Sequence, residues 1–473
     1  MSPALRPDIR HRRPSRGWPF LLALGLLACS DSPVEPEPEP EPEPEFRSAT
    51  LSPATANVNS ARVDVDASGY DSVAFVLRTA GEVPERSASY AFEADSARGS
   101  ALGMLAGRDY EIDVWAFAGT DSALVDTLRH TTGPLPAWIP SIGAAGDPAN
   151  DGFIGLAHPD GPVIVDNQGR VRWYFASADP VLLNFQAHPS GEYTLFGRDD
   201  AERLYRVLNE RGEQIRTVGC VGLETRFHEV RIEAGGDAWV LCDDEKPADL
   251  SPWGGAADGS IVWNTLQKVT PAGTVSFEFR TEDFYSPNDA DSAALAGATE
   301  LNLMHGNGIA FHESGDIVLS WRSLNEITRV SIADTSIVWR LGGRGSDFVI
   351  DDPTREFERQ HGVRWVGPGV VQFLDNGTEA PSRLMRYDLD ETTMTASVAL
   401  EYVDASMAFT LVGGGTEVLE GNRALVSFGR AGRVVEVDAT GSLTFELTGL
   451  ESIYIFRAFR IPSLYASLRS AAE

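Results

Sequence analysis

Short runs of alternating apolar and polar residues, broken by turn residues roughly every eight to twelve positions, fill the chain from residue 46 onward. In the first part they include Ala61-Arg62-Val63-Asp64-Val65, Ser72-Val73-Ala74-Phe75-Val76-Leu77 and Tyr110-Glu111-Ile112-Asp113-Val114-Trp115. Period-two alternation is the mark of a half-buried strand. Residues 46–136 are therefore expected to form a small β-sandwich of fibronectin or immunoglobulin type. Its one histidine, His130, reads as a surface residue, and no cluster of reactive side chains appears there.

From about Trp138 the pattern becomes self-similar. Units start near Gly152-Phe153-Ile154, Phe185-Gln186-Ala187-His188, Phe227-His228-Glu229-Val230, Met304-His305-Gly306-Asn307, Gln360-His361-Gly362-Val363 and Leu411-Val412-Gly413-Gly414. Each continues through a turn into further apolar strands, such as Tyr193-Thr194-Leu195-Phe196, Ile317-Val318-Leu319-Ser320 and Ser336-Ile337-Val338-Trp339-Arg340-Leu341. A unit of roughly forty residues with about four short strands is a propeller blade, and six blades close a ring without exposed sheet edges. The expected architecture is thus all-β, a six-bladed β-propeller over 137–473 behind the small sandwich; a pair of packed sandwiches is the structural alternative. Uneven spacing between Asp243 and Leu303 reads as a long insertion looping over one face.

The start of the chain is of another kind. Arg6, Arg10, Arg12, Arg13 and Arg16 precede an apolar run from Trp18 to Ala28 that is too short to span a bilayer and ends in Leu26-Leu27-Ala28-Cys29. Residues 1–28 read as a lipoprotein signal peptide and Cys29 as a lipidated N-terminus, an ordinary cleaved signal being the alternative. Ser30, where an inner-membrane retention signal would place Asp, points to the bacterial outer membrane. The Glu-Pro alternation from Glu35 to Glu45 makes 29–45 an extended linker. The formal charge is −30, and because residues 1–28 carry five arginines against Asp8 the remainder carries −34, which excludes nucleic acid as a natural partner. Cys220 and Cys242 are the two other cysteines; in an oxidising envelope they pair or stay as separate buried thiols, and the sequence leaves both open.

Chemistry concentrates in the histidines. His188, His228, His305 and His361 fall at or near the first strand of their units, which in a propeller lines the central channel. His188 precedes a Pro189-Ser190-Gly191 turn and reads as a strand-end residue without a chemical role, as do the turn residues His158 and His312. Asn307 follows His305 by two positions, on the same face of a strand. Arg322 ends the next strand, where an exposed-face arginine is the plain expectation. A guanidinium beside neutral imidazoles matches the oxygens of a sulfate or phosphate.

In these residues the chain resembles the bacterial arylsulfotransferases that work without a nucleotide sulfate donor. The resemblance spans about Trp138 to Leu464 and is sharpest from Leu303 to Arg386. It rests on the order and spacing of His305-Gly306-Asn307, Ser320-Trp321-Arg322, Ile337 through Gly343, Phe357 through His361, Leu374-Asp375-Asn376-Gly377, Ser382-Arg383 and Phe456-Arg457-Ala458. It implies a ping-pong transfer of a sulfuryl group from a phenolic sulfate donor to a phenol acceptor through a sulfohistidine, with no metal and no other cofactor. His361 matches the nucleophile, His305, Asn307 and Arg322 match the groups that bind the sulfuryl oxygens, and His228 matches the remaining active-site histidine. Leu301-Asn302-Leu303-Met304 departs from the pattern, since many members carry an acidic residue or Trp there.

Two other functions fit the same residues. His228, His305 and His361 are enough to ligate a divalent ion in a metal-dependent propeller hydrolase or lyase, although Arg322 beside them disfavours a second cation. A non-catalytic, lipid-anchored propeller that binds glycan or protein would keep the histidines as structural residues and tolerate their loss.

Overall fold

A computed structural model describes residues 43–469, apart from 55, 177–181, 198–202 and 380. The arginine-rich leader, Cys29 and most of the Glu-Pro run lie outside the described residues. The chain is all-β, and the few helices are single turns.

Two sheets come first. Glu45–Pro53, Ala61–Ser68 and Ser96–Ala101 form one; Ser72–Arg78, Asp109–Ala118 and Asp121–Thr131, with the short Glu85–Arg86 and Tyr90–Ala91, form the other. The alternating residues of these strands meet in one core containing Val63, Val65, Phe75, Ile112 and Val114. His130 lies half-buried on the last of these strands.

Six more sheets, numbered I to VI here, follow, antiparallel except where Glu300–Asn302 and Val349–Asp351 add a parallel strand to III and V. Sheet I holds Phe153–Leu156, Val163–Val165 and Val171–Tyr174; sheet II holds Leu182–Ala187, Tyr193–Gly197, Tyr205–Leu208 and Gln214–Val218. Sheet III holds Glu224–Ile232, Ala238–Ala248, Gly259–Val269 and Val275–Arg280; sheet IV holds Gly306–Phe311, Ile317–Trp321, Glu326–Val330 and Ile337–Gly342. Sheet V holds His361–Gly367, Val370–Asp375, Arg383–Asp390 and Thr395–Val403; sheet VI holds Gly415–Val418, Ala424–Ser427, Val434–Val437 and Leu443–Thr448. Each adjacent pair of sheets encloses its own apolar core, including the pair formed by sheets VI and I. The first strands touch one another in ring order, from Leu182–Ala187 round to Gly415–Val418 and back through Ala458–Ile461.

Both ends of the chain close this ring. Ala458–Ile461 pairs antiparallel with Phe153–Leu156 as the inner strand of sheet I, and Gly143–Gly146 pairs with Leu443–Thr448 at the outer edge of sheet VI. The unit starting at Gly152 therefore begins with its second strand, a correction to the sequence reading. Strand pattern is local, and nothing within the segment signals that its missing partner lies some three hundred residues away. The insertion over 243–303 also differs from expectation: Ala238–Ala248 and Gly259–Val269 pair along their full length as one long hairpin. Glu245 and Pro247 are exposed there, while Ile261 and Val262 on the facing strand are buried, so the apolar positions of that end lie on one strand of the pair.

Cys220 and Cys242 form a disulfide, with Cα atoms 5.9 Å apart, fastening the end of sheet II to the second strand of sheet III. Closing a loop of this length contributes about 3 kcal/mol in the chain-entropy account. The first two sheets dock on sheet I through Arg170 with Glu82, Arg172 with Glu85, and Tyr174 Oη accepting from the Val58 N–H.

Candidate active site

The inner strands of sheets III, IV and V all lose register where their histidines sit: between Thr225 and Val230, between Gly306 and Gly308, and between His361 and Arg364. A bulge turns side chains off the pleat and re-aims them. Here it brings the His228 ring centroid to 4.8 Å from that of His305 and 6.1 Å from that of His361. The two carbonyls at the first bulge, Phe227 and His228, accept from Asn184 Nδ2 of sheet II at 2.8 and 3.0 Å.

His305 stands just before its strand with φ at +50°. A non-glycine residue adopts the left-handed region only where its surroundings impose it. Here Asn302 Oδ1 accepts the His305 N–H at 3.1 Å and Asn264 Oδ1 the Gly306 N–H at 2.7 Å. The same turn places Arg322, whose N–H donates to the His305 carbonyl at 3.2 Å. Simple strand alternation, the basis on which His305 and Asn307 were expected to share a face, does not apply here, because His305 precedes its strand and the register shifts between Gly306 and Gly308. Asn307 is fully buried, and its Nδ2 donates to the Gln360 carbonyl at 2.6 Å, joining sheet IV to the residue before His361. Its Oδ1 has no partner among the described residues. Gly362, at φ +61°, lets the inner strand of sheet V pass sheet VI; a Cβ there would lie 2.6 Å from Gly415 Cα.

His361 is held by its Nδ1. That nitrogen lies 2.7 Å from Asn376 Oδ1 and 3.0 Å from the Arg359 carbonyl. Asn376 is oriented in turn, because its Nδ2 donates to the carbonyls of Thr410 and Gly413 at 2.8 and 3.0 Å. Both groups facing Nδ1 are acceptors, so Nδ1 carries the proton and Nε2 keeps its lone pair.

Arg322 is buried rather than on an exposed face. Its Nη2 donates to the Leu411 carbonyl at 3.0 Å, Nε has no partner, and among the described residues no carboxylate pairs with it. The loop between sheets V and VI therefore holds two parts of the site by carbonyls alone, Leu411 on Arg322 and Thr410 with Gly413 on Asn376. Phe227 stacks on His228 at 4.0 Å, with Phe456 5.9 Å from Phe227, giving the imidazoles an aromatic flank.

A family model described as arylsulfotransferase (ASST) matches residues 205–450, a little over half of the chain, which includes all five of these side chains. The chain belongs to that family. No curated protein matches it. Among solved structures, a protein of unknown function from Bacteroides caccae is similar over 66% of this chain and 100% of its own, at 11% identity and a TM-score of 0.43. A streptogramin B lyase is similar over 66% and 89%, at 11% identity and 0.37. A catalytically inactive virginiamycin B lyase from Staphylococcus aureus, with quinupristin, is similar over 82% and 99%, at 10% identity and 0.37. Likeness at this level carries no argument about activity.

The electrostatics of this arylsulfotransferase-family site are uniform in sign. Burial, then Arg322, brings His361 down to about 3, against the pull of Asn376. His305 falls well below the ordinary imidazole value through burial, Arg226 and Arg322, and His228 through burial and its imidazole and guanidinium neighbours. The free site therefore holds three neutral rings among arginines. Among the described residues no three His, Cys, Asp or Glu side chains are grouped to hold a metal ion.

Asn376 was visible in the sequence only as part of a motif, and its hold on His361 was missed; fifteen residues separate the two, and only the pairing of His361–Gly367 with Val370–Asp375 brings them together. The other histidines sit in ordinary settings. His188 Nε2 lies 2.7 Å from Thr194 Oγ1, and His158 and His312 Nδ1 accept turn N–H groups from Asp160 and Ser314.

Proposed function

We propose that this chain transfers a sulfuryl group from a phenolic sulfate ester to a phenol by a ping-pong reaction through a sulfohistidine at His361. The His361 ring carries the reading: its Nδ1–H is committed to two acceptors, leaving the Nε2 lone pair available near Arg322, which has no carboxylate partner among the described residues.

In the first half-reaction Nε2 attacks sulfur and the bond from sulfur to the aryl oxygen breaks, its electron pair leaving with the phenolate. The ring keeps its Nδ1 proton and becomes cationic, and the Asn376 and Arg359 oxygens stabilise that charge. Arg322, Asn307 and His305 hold the sulfuryl oxygens; in a loose transition state such positioning and neutralisation is most of what the protein must supply. The sulfate charge compensates the surrounding guanidiniums and raises the proton affinity of His228 and His305, so that one of these rings takes up a proton from solvent as the donor binds and passes it to the departing phenolate, returning to its neutral form. In the second half-reaction the acceptor phenol gives its proton to that ring, its oxygen attacks sulfur, and the S–N bond electrons return to Nε2. Phe227 and Phe456 flank the aryl group.

The same proposal covers the whole chain. Residues 1–28 are a lipoprotein signal, Cys29 anchors the protein in the bacterial outer membrane facing the periplasm or the cell surface, and 29–45 is a stalk. Residues 46–136 are a β-sandwich and 137–473 a six-bladed propeller, a reading supported by the ring of inner strands and the core between sheets VI and I.

The test is nitrophenol release from 4-nitrophenyl sulfate with and without phenol, beside His361→Asn. Sustained release that needs phenol and is lost in the variant is expected. Equal activity in the variant would exclude His361 as nucleophile, and a folded wild type inert toward several aryl sulfates and phenols would leave a binding propeller.

A further inference from the structure

The inner strands continue past the histidines to a second cavity. Three residues beyond His228 and His361, roughly 10 Å along a strand, Arg231 and Arg364 meet Ile232, Ile309, Phe311 and Trp365 around a cavity of ≈ 510 Å³. That volume is in the range of small-molecule sites, as is the mixture of apolar wall and a few convergent polar groups.

The charges between the two sites do not balance. Glu229, fully buried, has Oε1 3.0 Å from Arg231 Nη2 and 3.8 Å from Arg364 Nη1, while its Oε2 accepts from Arg457 Nη1. One carboxylate thus serves three guanidiniums. Arg364 has as its other bond the neutral Val363 carbonyl, 2.7 Å away. Glu417 also faces Arg364, but burial raises it to about 7, so it is not a full counter-charge near neutrality, and Glu233, which lines the cavity, is taken by Lys268 Nζ at 2.9 Å and Trp239 Nε1 at 2.6 Å. Burial and the repulsion of Arg231 bring Arg364 down to about 9 in spite of Glu229. An added anion would be stabilised there, and an added cation would not.

We propose that this cavity is a second ligand site, taking a small aromatic anion, a carboxylate, sulfonate or sulfate, with its acidic group on Arg364 and Arg231 and its ring against Phe311 and Trp365. It is separate from the histidine site and linked to it: Arg457, which shares Glu229, donates from Nη2 to the Asn307 carbonyl at 2.7 Å. A ligand that draws Arg231 and Arg364 off Glu229 leaves that carboxylate to Arg457, and so reaches the backbone of Asn307.

Calorimetric titration of the full-length protein with 2-naphthalenesulfonate, which has no sulfate ester bond to transfer, tests this. The wild type is expected to bind two equivalents. Arg364→Gln and Ala234→Trp should each weaken the same equivalent at least ten-fold, and Arg322→Ala the other. Ala234 lines the cavity from an exposed turn, so its replacement fills the space without touching the charge network. Binding that neither Arg364→Gln nor Ala234→Trp alters would overturn the proposal. Failure of the sulfotransferase reading looks different: the equivalent sensitive to Arg322→Ala is missing and the one sensitive to Ala234→Trp remains.

Discussion

Arg322 and Arg383 lie in neighbouring sheets, both buried, and their surroundings are opposite. Arg383 spends its nitrogens on three carboxylates, Asp375 at 2.7 Å, Glu401 at 2.8 Å and Asp352 at 2.9 Å, and these raise its pKa although burial alone would lower it. Among the described residues Arg322 has one carbonyl partner and an idle Nε, and burial with Arg359 and Arg226 presses its pKa down to about 10. A compensated guanidinium is a structural tie. An uncompensated one is a cost to the fold that only an arriving anion offsets. Arg383 bears on the site through Asp375, which also accepts the Gly377 N–H at 3.1 Å, shaping the turn whose asparagine holds His361.

The sharpest way to break the comparison is to remove each arginine in turn. Arg383→Ala leaves buried carboxylates without their partner and is expected to cost about 3–5 kcal/mol of folding free energy, read by denaturant unfolding. Arg322→Ala is expected to lower kcat/KM about 10²- to 10³-fold, the size of effect seen when one oxyanion donor is removed. Its melting temperature should be equal to or above that of the wild type, because it removes an unpaired buried charge. A destabilised Arg322→Ala would mean that both arginines are structural.

Asn376→Ala sharpens the comparison from the nucleophile side. Loss of the outer partner of a working imidazole typically costs about 10- to 100-fold, here in kcat with KM little changed, and Asn376→Asp should shift the acid limb of the pH profile upward because a carboxylate stabilises the imidazolium.

At neutral pH the titration of His361 has no effect on stability, and it shows only on acidification. The His361 pKa falls from 6.5 to about 3 on folding, so between those values the unfolded chain binds more protons and stability rises with pH. Its contribution is complete above 6.5 and lost as pH falls toward 3. His361→Asn should therefore lose less stability than the wild type over that window, measured by thermal melts.

Much of this was legible from pattern alone, because strand alternation and turn spacing are local. The starts at Phe227, Met304 and Gln360 fall at the inner strands of sheets III, IV and V, and the histidines there do converge. What was not legible depends on distant parts of the chain. Ala458–Ile461 completes sheet I from the other terminus. The left-handed turn at His305 depends on Asn264, which accepts the Gly306 N–H from forty-two residues back and in another sheet. The direction in which the three imidazoles titrate depends on burial and on Arg226 and Arg322, and residue identity gives no measure of either. Cys220 and Cys242 showed the same limit, since two thiols and one disulfide have the same sequence.

The most direct test of the account is mass spectrometry of the protein after mixing with an aryl sulfate and no acceptor. One added sulfuryl group on the peptide carrying His361, lost again when phenol is supplied, is the predicted result. Turnover without that adduct, or an adduct on another residue that is kinetically competent, would contradict the assignment of His361 as the nucleophile.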